Sequence, residues 1–180
     1  RGRGASDDKG PRTLGFEDEL ILPIEITPAA PDAPVSLRAT IDIGVCDEIC
    51  VPATVTVAGL LPEVTDRDAR ITAALSDQPL TAAEAGVASA RCTADAIRDG
   101  LRLTTEVTVP SIGDNEFGVI ELADRAIWVS EPTASRNDGT ITLVSDLVPP
   151  EARPFALDRS KVRITLFGPD HAVDIRGCTG

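Results

Sequence analysis

The chain has 180 residues, 42% of them hydrophobic, which suits one domain or two small ones, and no apolar run approaches the ~20 residues of a membrane-spanning helix. A formal net charge of −12 repels phosphate backbones and anionic lipid, so nucleic acid is excluded as a partner. One Trp, four Phe and no Tyr leave no stacking platform for bases or sugars, and one His with no Met leaves few metal ligands beyond the four cysteines, so no cofactor and no resident metal are expected.

Residues 1–13 are rich in Arg, Gly, Asp and Ser with no apolar period, and are read as a flexible segment. Residues 20–26, Leu-Ile-Leu-Pro-Ile-Glu-Ile, predict a strand, with Pro23 marking an edge position or a bulge. Glu17, Asp18 and Glu19 form its solvated entrance. A turn follows between Pro28 and Pro34. Val35, Leu37, Ala39, Ile41, Ile43 and Val45 then alternate with polar or small residues. Val51, Ala53, Val55 and Val57 do the same beyond a short Asp-Glu-Ile tip. Period-two patterning on both sides of a short tip predicts a β-hairpin over about 35–59.

Cys46 and Cys50 stand at that tip. On a straight strand their α-carbons would lie roughly 13 Å apart, whereas a disulfide needs about 4.4–6.8 Å. The hairpin solves this by placing Cys46 opposite Cys50. Parity puts both on the polar face. A bridge there closes a very small loop and removes little unfolded-state entropy. Weak stabilisation and a solvent-facing position favour a redox role, against a structural pair or a metal-binding pair. Cys92 and Cys178 remain. A bridge between them would close a loop of about 87 residues, worth about 4–5 kcal/mol in the chain-entropy model, as a structural staple. A local labile pair with a long-range staple points to an oxidising compartment such as a periplasm. No signal peptide is present in the sequence, so export implies that one was removed or not included.

Residues 62–88 change character and are read as a connection. Residues 66–75 are helix-compatible, with Thr65 as a candidate cap. Thr81 and Glu84 make a capping-box pattern that starts a short helix or closes a linker turn. Strand signals return over 89–97, 101–109, 118–122, 126–129, 140–148, 161–167 and 172–176. Turn signals at Arg98-Asp99-Gly100, Asn137-Asp138-Gly139 and Gly168-Pro169-Asp170 separate some of them. His171 reads as a solvated loop residue and Trp128 as a packing residue. Seven short strands with regular turns fit an antiparallel sandwich. The fold class is therefore all-β, with sandwich lobes and minor helix in the connection. The domains are a first lobe at 14–61 and a second at 89–180. The first is shorter than a complete sandwich of ~100 residues, so it should lack strands or complete its sheet with another chain.

The strand Leu-Ile-Leu-Pro-Ile-Glu-Ile, the second strand up to Val45, and the run Cys46-x-x-x-Cys50-Val51-Pro52 resemble the N-terminal periplasmic domain of the DsbD/ScsB group of thiol–disulfide interchange proteins. The motif block covers about a quarter of the chain. Trp128 to Pro132 and Phe155 to Asp158 add a weaker likeness to ScsB-type relatives. The cysteine spacing is shorter than the five-residue spacing of the best-known DsbD domains, and Phe16 is the aromatic candidate for the residue that caps the disulfide in that group. The resemblance implies an immunoglobulin-like sandwich. It also implies that Cys46 and Cys50 carry electrons from a membrane donor domain, in the same or a partner chain, to periplasmic proteins of thioredoxin fold. Cys50 would be the mixed-disulfide site. The chain would then be periplasmic, possibly as the soluble part of an inner-membrane protein.

Asp47 and Glu48 flank the site and should raise a neighbouring thiol pKa by disfavouring negative charge. Such a pair waits for a partner's low-pKa thiolate. Pro52 is expected to end ladder pairing beside the site. Two other readings stand beside interchange. One is a copper(I)-handling pair of soft thiolates, a copper-tolerance function for which His171 is the one distant His ligand. The other is a structural or interaction sandwich with two ordinary disulfides.

Overall fold

A computed structural model of the protein describes residues 14–16, 19–28, 30, 34–46, 49–61, 68–169 and 171–180. The expectations for residues 1–13, for Glu17 and Asp18, for Asp47 and Glu48, for the Thr65 cap and for Asp170 lie outside the described residues. The chain divides into two units, Arg1–Asp77 and Gln78–Gly180.

In the first unit, β1 (Ser36–Cys46) and β2 (Cys50–Leu60) pair antiparallel over their whole length. The alternation sets the register. Leu37, Ala39, Ile41, Ile43 and Val45 face Gly59, Val57, Val55, Ala53 and Val51 on one side of the ribbon. The cysteines, Gly44, Pro52, Asp42 and Thr54 take the other. Helix α1 (Ala69–Ser76) follows. Its cap is Asp68, whose carboxylate accepts from the Arg70 amide at 2.8 Å. No strand forms over residues 20–26. The apolar pattern is there, but among the described residues no ladder partner is, and Pro23 removes a donor.

The second unit is an all-β sandwich. One sheet holds β4 (Ser89–Ile97), β5 (Gly100–Thr108), β9 (Thr140–Val148) and, along the outer edge of β9, β7 (Trp128–Val129) and β8 (Thr133–Asn137). The other runs β3 (Leu80–Thr81), β11 (Ala172–Arg176), β10 (Arg163–Phe167), β6 (Phe117–Glu121). All pairings are antiparallel except β3 with β11. Leu103, Val107, Ile141, Leu143 and Leu147 of the first sheet pack with Ile120, Ile164, Leu166, Val173 and Ile175 of the second in one buried core. A Cβ on Gly118 of β6 would sit 2.4 Å from Leu143 Cδ1, so this glycine allows the two sheets to approach.

β7 and β8 are one edge strand with a jog at residues 130–132. Ser130 holds the jog: its Oγ accepts from the Asp146 amide at 2.9 Å and its carbonyl accepts from Ser145 Oγ at 2.8 Å. Asp138 and Gly139 both take positive φ (43° and 84°), making the two-residue turn that Asn137-Asp138-Gly139 announces. The turn signal Arg98-Asp99-Gly100 leads one to expect a glycine with positive φ at 100, but Gly100 does not take one; a Cβ there would lie 2.0 Å from the Leu147 carbonyl oxygen, which only glycine avoids. The Thr81–Glu84 capping box forms, with the Thr81 amide donating to the Glu84 carboxylate at 2.8 Å, but it closes a turn and not a helix.

Candidate functional site

The four cysteines are joined as Cys46–Cys50 and Cys92–Cys178. The two bridges sit in opposite surroundings. Cys92, on β4, is 1% exposed, and its amide donates to the Thr179 carbonyl at 2.7 Å. Thr179 in turn donates to the Ala90 carbonyl at 2.9 Å, so the segment after β11 runs parallel to β4 and the bridge ties one sheet to the other. Cys46 and Cys50 are both exposed, and Ile49 between them at the tip is 75% exposed.

The local geometry follows from register. Cys46 pairs directly with Cys50, with α-carbons 4.0 Å apart. That is the spacing of a narrow, non-hydrogen-bonded antiparallel pair, the class in which side chains lie closest. Pairs two residues along a ladder belong to the same class. Gly44 opposite Pro52 is therefore also non-hydrogen-bonded, and the missing proline N–H costs the ladder nothing. The expectation that Pro52 ends pairing is corrected: β2 continues through it to Leu60.

Gly44 and Pro52 also shape access to the sulfurs. A Cβ on Gly44 would meet Cys46 Sγ at 3.8 Å, an ordinary contact, and nothing else lies within 4 Å of it. The platform beside the disulfide is thus low. Asp42 lies one such pair further along the same face and accepts from Thr54 Oγ1 at 2.7 Å. It is about 13 Å from Cys46 along the strand, beyond the ~8 Å screening length of physiological salt.

The arrangement gives a sulfur–sulfur bond that an incoming thiolate can approach from solvent. Phe16, the aromatic candidate for a cap, is exposed, as is His171, whose carbonyl accepts from the Gly168 amide at 3.0 Å. Trp128 is an exposed edge residue and not a core one. Sequence reading missed the partnership of Gly44 with Pro52, although both share the cysteines' parity. Among the described residues no group of three or more His, Cys, Asp or Glu is placed to hold a metal ion. No helix there is long and apolar enough to cross a membrane.

No family model matches the sequence, and no curated protein does. Among solved structures, the N-terminal periplasmic domain of ScsB from Proteus mirabilis matches with a TM-score of 0.59 at 11% identity, over 81% of this chain. The chain spans 57% of the length of that neighbour. In fold, then, the chain is similar to the N-terminal periplasmic domain of ScsB, a member of the group that its hairpin motif resembles.

Proposed function

We propose that the chain is a periplasmic thiol–disulfide interchange domain whose redox pair is Cys46 and Cys50, with Cys92–Cys178 as a structural bridge. The observation that carries this reading is the contrast between the bridges. One is exposed at the tip of a hairpin, and the other has Cys92 buried in the core and Cys178 partly buried against it. The likeness in fold to an ScsB periplasmic domain supports it. So does the presence of two disulfides, which persist in oxidising compartments.

The reduced pair delivers two electrons. The Cys50 thiolate attacks the disulfide of a thioredoxin-fold partner, and one partner thiolate leaves. The Cys46 thiolate then attacks Cys50 Sγ in the mixed disulfide. The 46–50 bond forms, the second partner thiolate leaves, and the partner ends as a dithiol. A membrane donor domain restores the pair by the reverse exchange.

The test is capture. Cys46→Ser, which keeps Cys50, should trap a mixed disulfide with a thioredoxin-fold protein from the source periplasm. The wild-type pair should show a reversible potential in the range of such proteins. A potential far below about −300 mV, with no partner captured by either single mutant, would leave the pair structural. Tight copper(I) binding by the reduced pair without exchange would move the function to copper handling.

A further inference from the structure

The Leu61 amide donates to the Val35 carbonyl at 2.8 Å. Val35 and Leu61 are the next positions beyond Ser36 and Leu60 in the hairpin's register, so they form a hydrogen-bonded pair. Cys46–Cys50 lies an odd number of steps along the same ladder. That places it in the other class, in agreement with its 4.0 Å α-carbon spacing. In that class the backbone N–H and C=O of both residues point away from the facing strand. Those of Cys46 leave the outer edge of β1, and those of Cys50 leave the outer edge of β2. No other strand among the described residues pairs with either edge.

The disulfide spans the ribbon from β1 to β2. Exchange at sulfur is an in-line displacement, with the entering, attacked and leaving sulfurs close to one line. A partner thiol that exchanges with Cys46 for the Cys50 sulfur must therefore lie on the β2 side. It sits above the edge to which the Cys50 N–H and C=O point. A thiol that exchanges at the Cys46 sulfur must lie on the β1 side. The two edges are not alike. On β1, Gly44 and Asp42 continue an unbroken outward row of donors and acceptors beyond Cys46. On β2, the next outward position beyond Cys50 is Pro52, which has no N–H. Proline at a sheet edge blocks indiscriminate strand addition. Cover differs too. Leu37, Ala39 and Ile41 of β1 are half-buried, whereas Val57 and Val55, which face Ala39 and Ile41 from β2, are 45% and 43% exposed.

We propose that the redox partner docks on the outer edge of β2 by pairing one extended residue with Cys50, and that Pro52 ends the pairing there. This rests on the interchange reading of the same cysteine pair. The occupant is a protein that presents a reactive cysteine beside an extended segment whose own backbone N–H and C=O are unpaired. Two backbone hydrogen bonds at Cys50 hold the partner sulfur on the line of the exchange. In the mixed disulfide the Cys46 thiolate attacks Cys50 Sγ from the β1 side. The 46–50 bond forms, the bond from Cys50 to the partner breaks, and the partner thiolate leaves over the β2 edge with the bonding electron pair. Pro52 denies the partner a longer ladder, and a short contact suits a partner that must leave after each exchange.

The experiment uses the full chain as Cys46→Ser, joined through Cys50 to the thioredoxin-fold protein that this variant captures. Amide hydrogen exchange is read by NMR. The expected result is exchange at the Cys50 amide slowed about tenfold or more relative to the unjoined variant, with the Gly44, Asp42 and Thr54 amides unchanged. Adding Pro52→Ala restores an outward N–H, and protection should then extend to position 52 and to Thr54. An unprotected Cys50 amide in a mixed disulfide that does form would overturn the proposal and leave the interchange reading intact. So would protection at Gly44 and Asp42, or protection that still stops at Cys50 once Pro52→Ala is added. Failure of the variant to form any mixed disulfide would overturn both.

Discussion

Gly44 faces Pro52 across the hairpin as the next pair on the disulfide's own face, and neither places a polar atom beside the sulfurs. Access to the sulfur–sulfur bond therefore depends on a residue with no side chain. Gly44→Val should slow reduction of the Cys46–Cys50 bridge by dithiothreitol severalfold. It should raise stability by roughly 0.5–1 kcal/mol, because glycine weakens a strand. Timed alkylation with mass spectrometry reads the first effect and urea unfolding the second. Unchanged reduction kinetics would show that this face is not the route of attack.

The two bridges should separate in both kinetics and stability. Mild dithiothreitol should open Cys46–Cys50 well before Cys92–Cys178, where Cys92 is fully buried. In the chain-entropy model the short loop contributes about 2 kcal/mol and the long one about 4.6 kcal/mol. The Cys46→Ser/Cys50→Ser double variant should thus lower the melting temperature less than Cys92→Ser/Cys178→Ser. Calorimetry on the two variants decides it, and equal losses would contradict the assignment of roles.

Glu116 and Arg136 form an ion pair in which the Glu116 side chain is 6% exposed. Burial pushes the Glu116 carboxyl upward. Hydrogen bonds from Arg136, the Ile112 amide and Ser111 together outweigh that and hold it below its ordinary value of 4.5. A depressed folded pKa contributes stability that is fully present above the ordinary value and is lost as pH falls through the folded one. Wild type should therefore lose stability below about pH 4.5, part of it through this group. Glu116→Ala should cost about 3 kcal/mol at neutral pH, because it leaves the Arg136 charge uncompensated. Its deficit should shrink toward low pH. Urea titrations of both proteins at several pH values check this, and a deficit that does not change with pH would count against it.

Thr105 lies on β5 opposite Cys92, and its Oγ1 is buried with no hydrogen-bond partner among the described residues. Thr105→Val keeps the shape and removes the unsatisfied group. It should stabilise the protein by about 1 kcal/mol. A drop in melting temperature would mean that the hydroxyl is satisfied in solution.

The hairpin was legible because alternation and the cysteine spacing constrain the same register from two directions. The long core strands were legible for a related reason: Ile141, Leu143 and Leu147 share one parity and are all buried. β8 was not, since Thr-Ala-Ser-Arg-Asn on an exposed edge carries no apolar period. Residues 20–26 show the converse, an apolar run with no strand to pair with among the described residues. Gly100 reads as a turn glycine until the carbonyl of Leu147, distant in sequence, explains it. The tie between β4 and the Thr179 segment depends on contacts that only the folded chain makes.

Cys92–Cys178 also has a mechanical consequence. It joins an edge strand of one sheet to the segment leaving the other, across a sequence separation of 86. A load applied at Thr179 passes through a covalent bond into β4 and does not peel β11 from its neighbours. The enclosed stretch is then inextensible. Reducing the bond should release about 300 Å of contour, at about 3.5 Å per residue. Single-molecule pulling on the second unit, with and without reductant, would show that length as an added step, and its absence would mean the load never reaches the bridge.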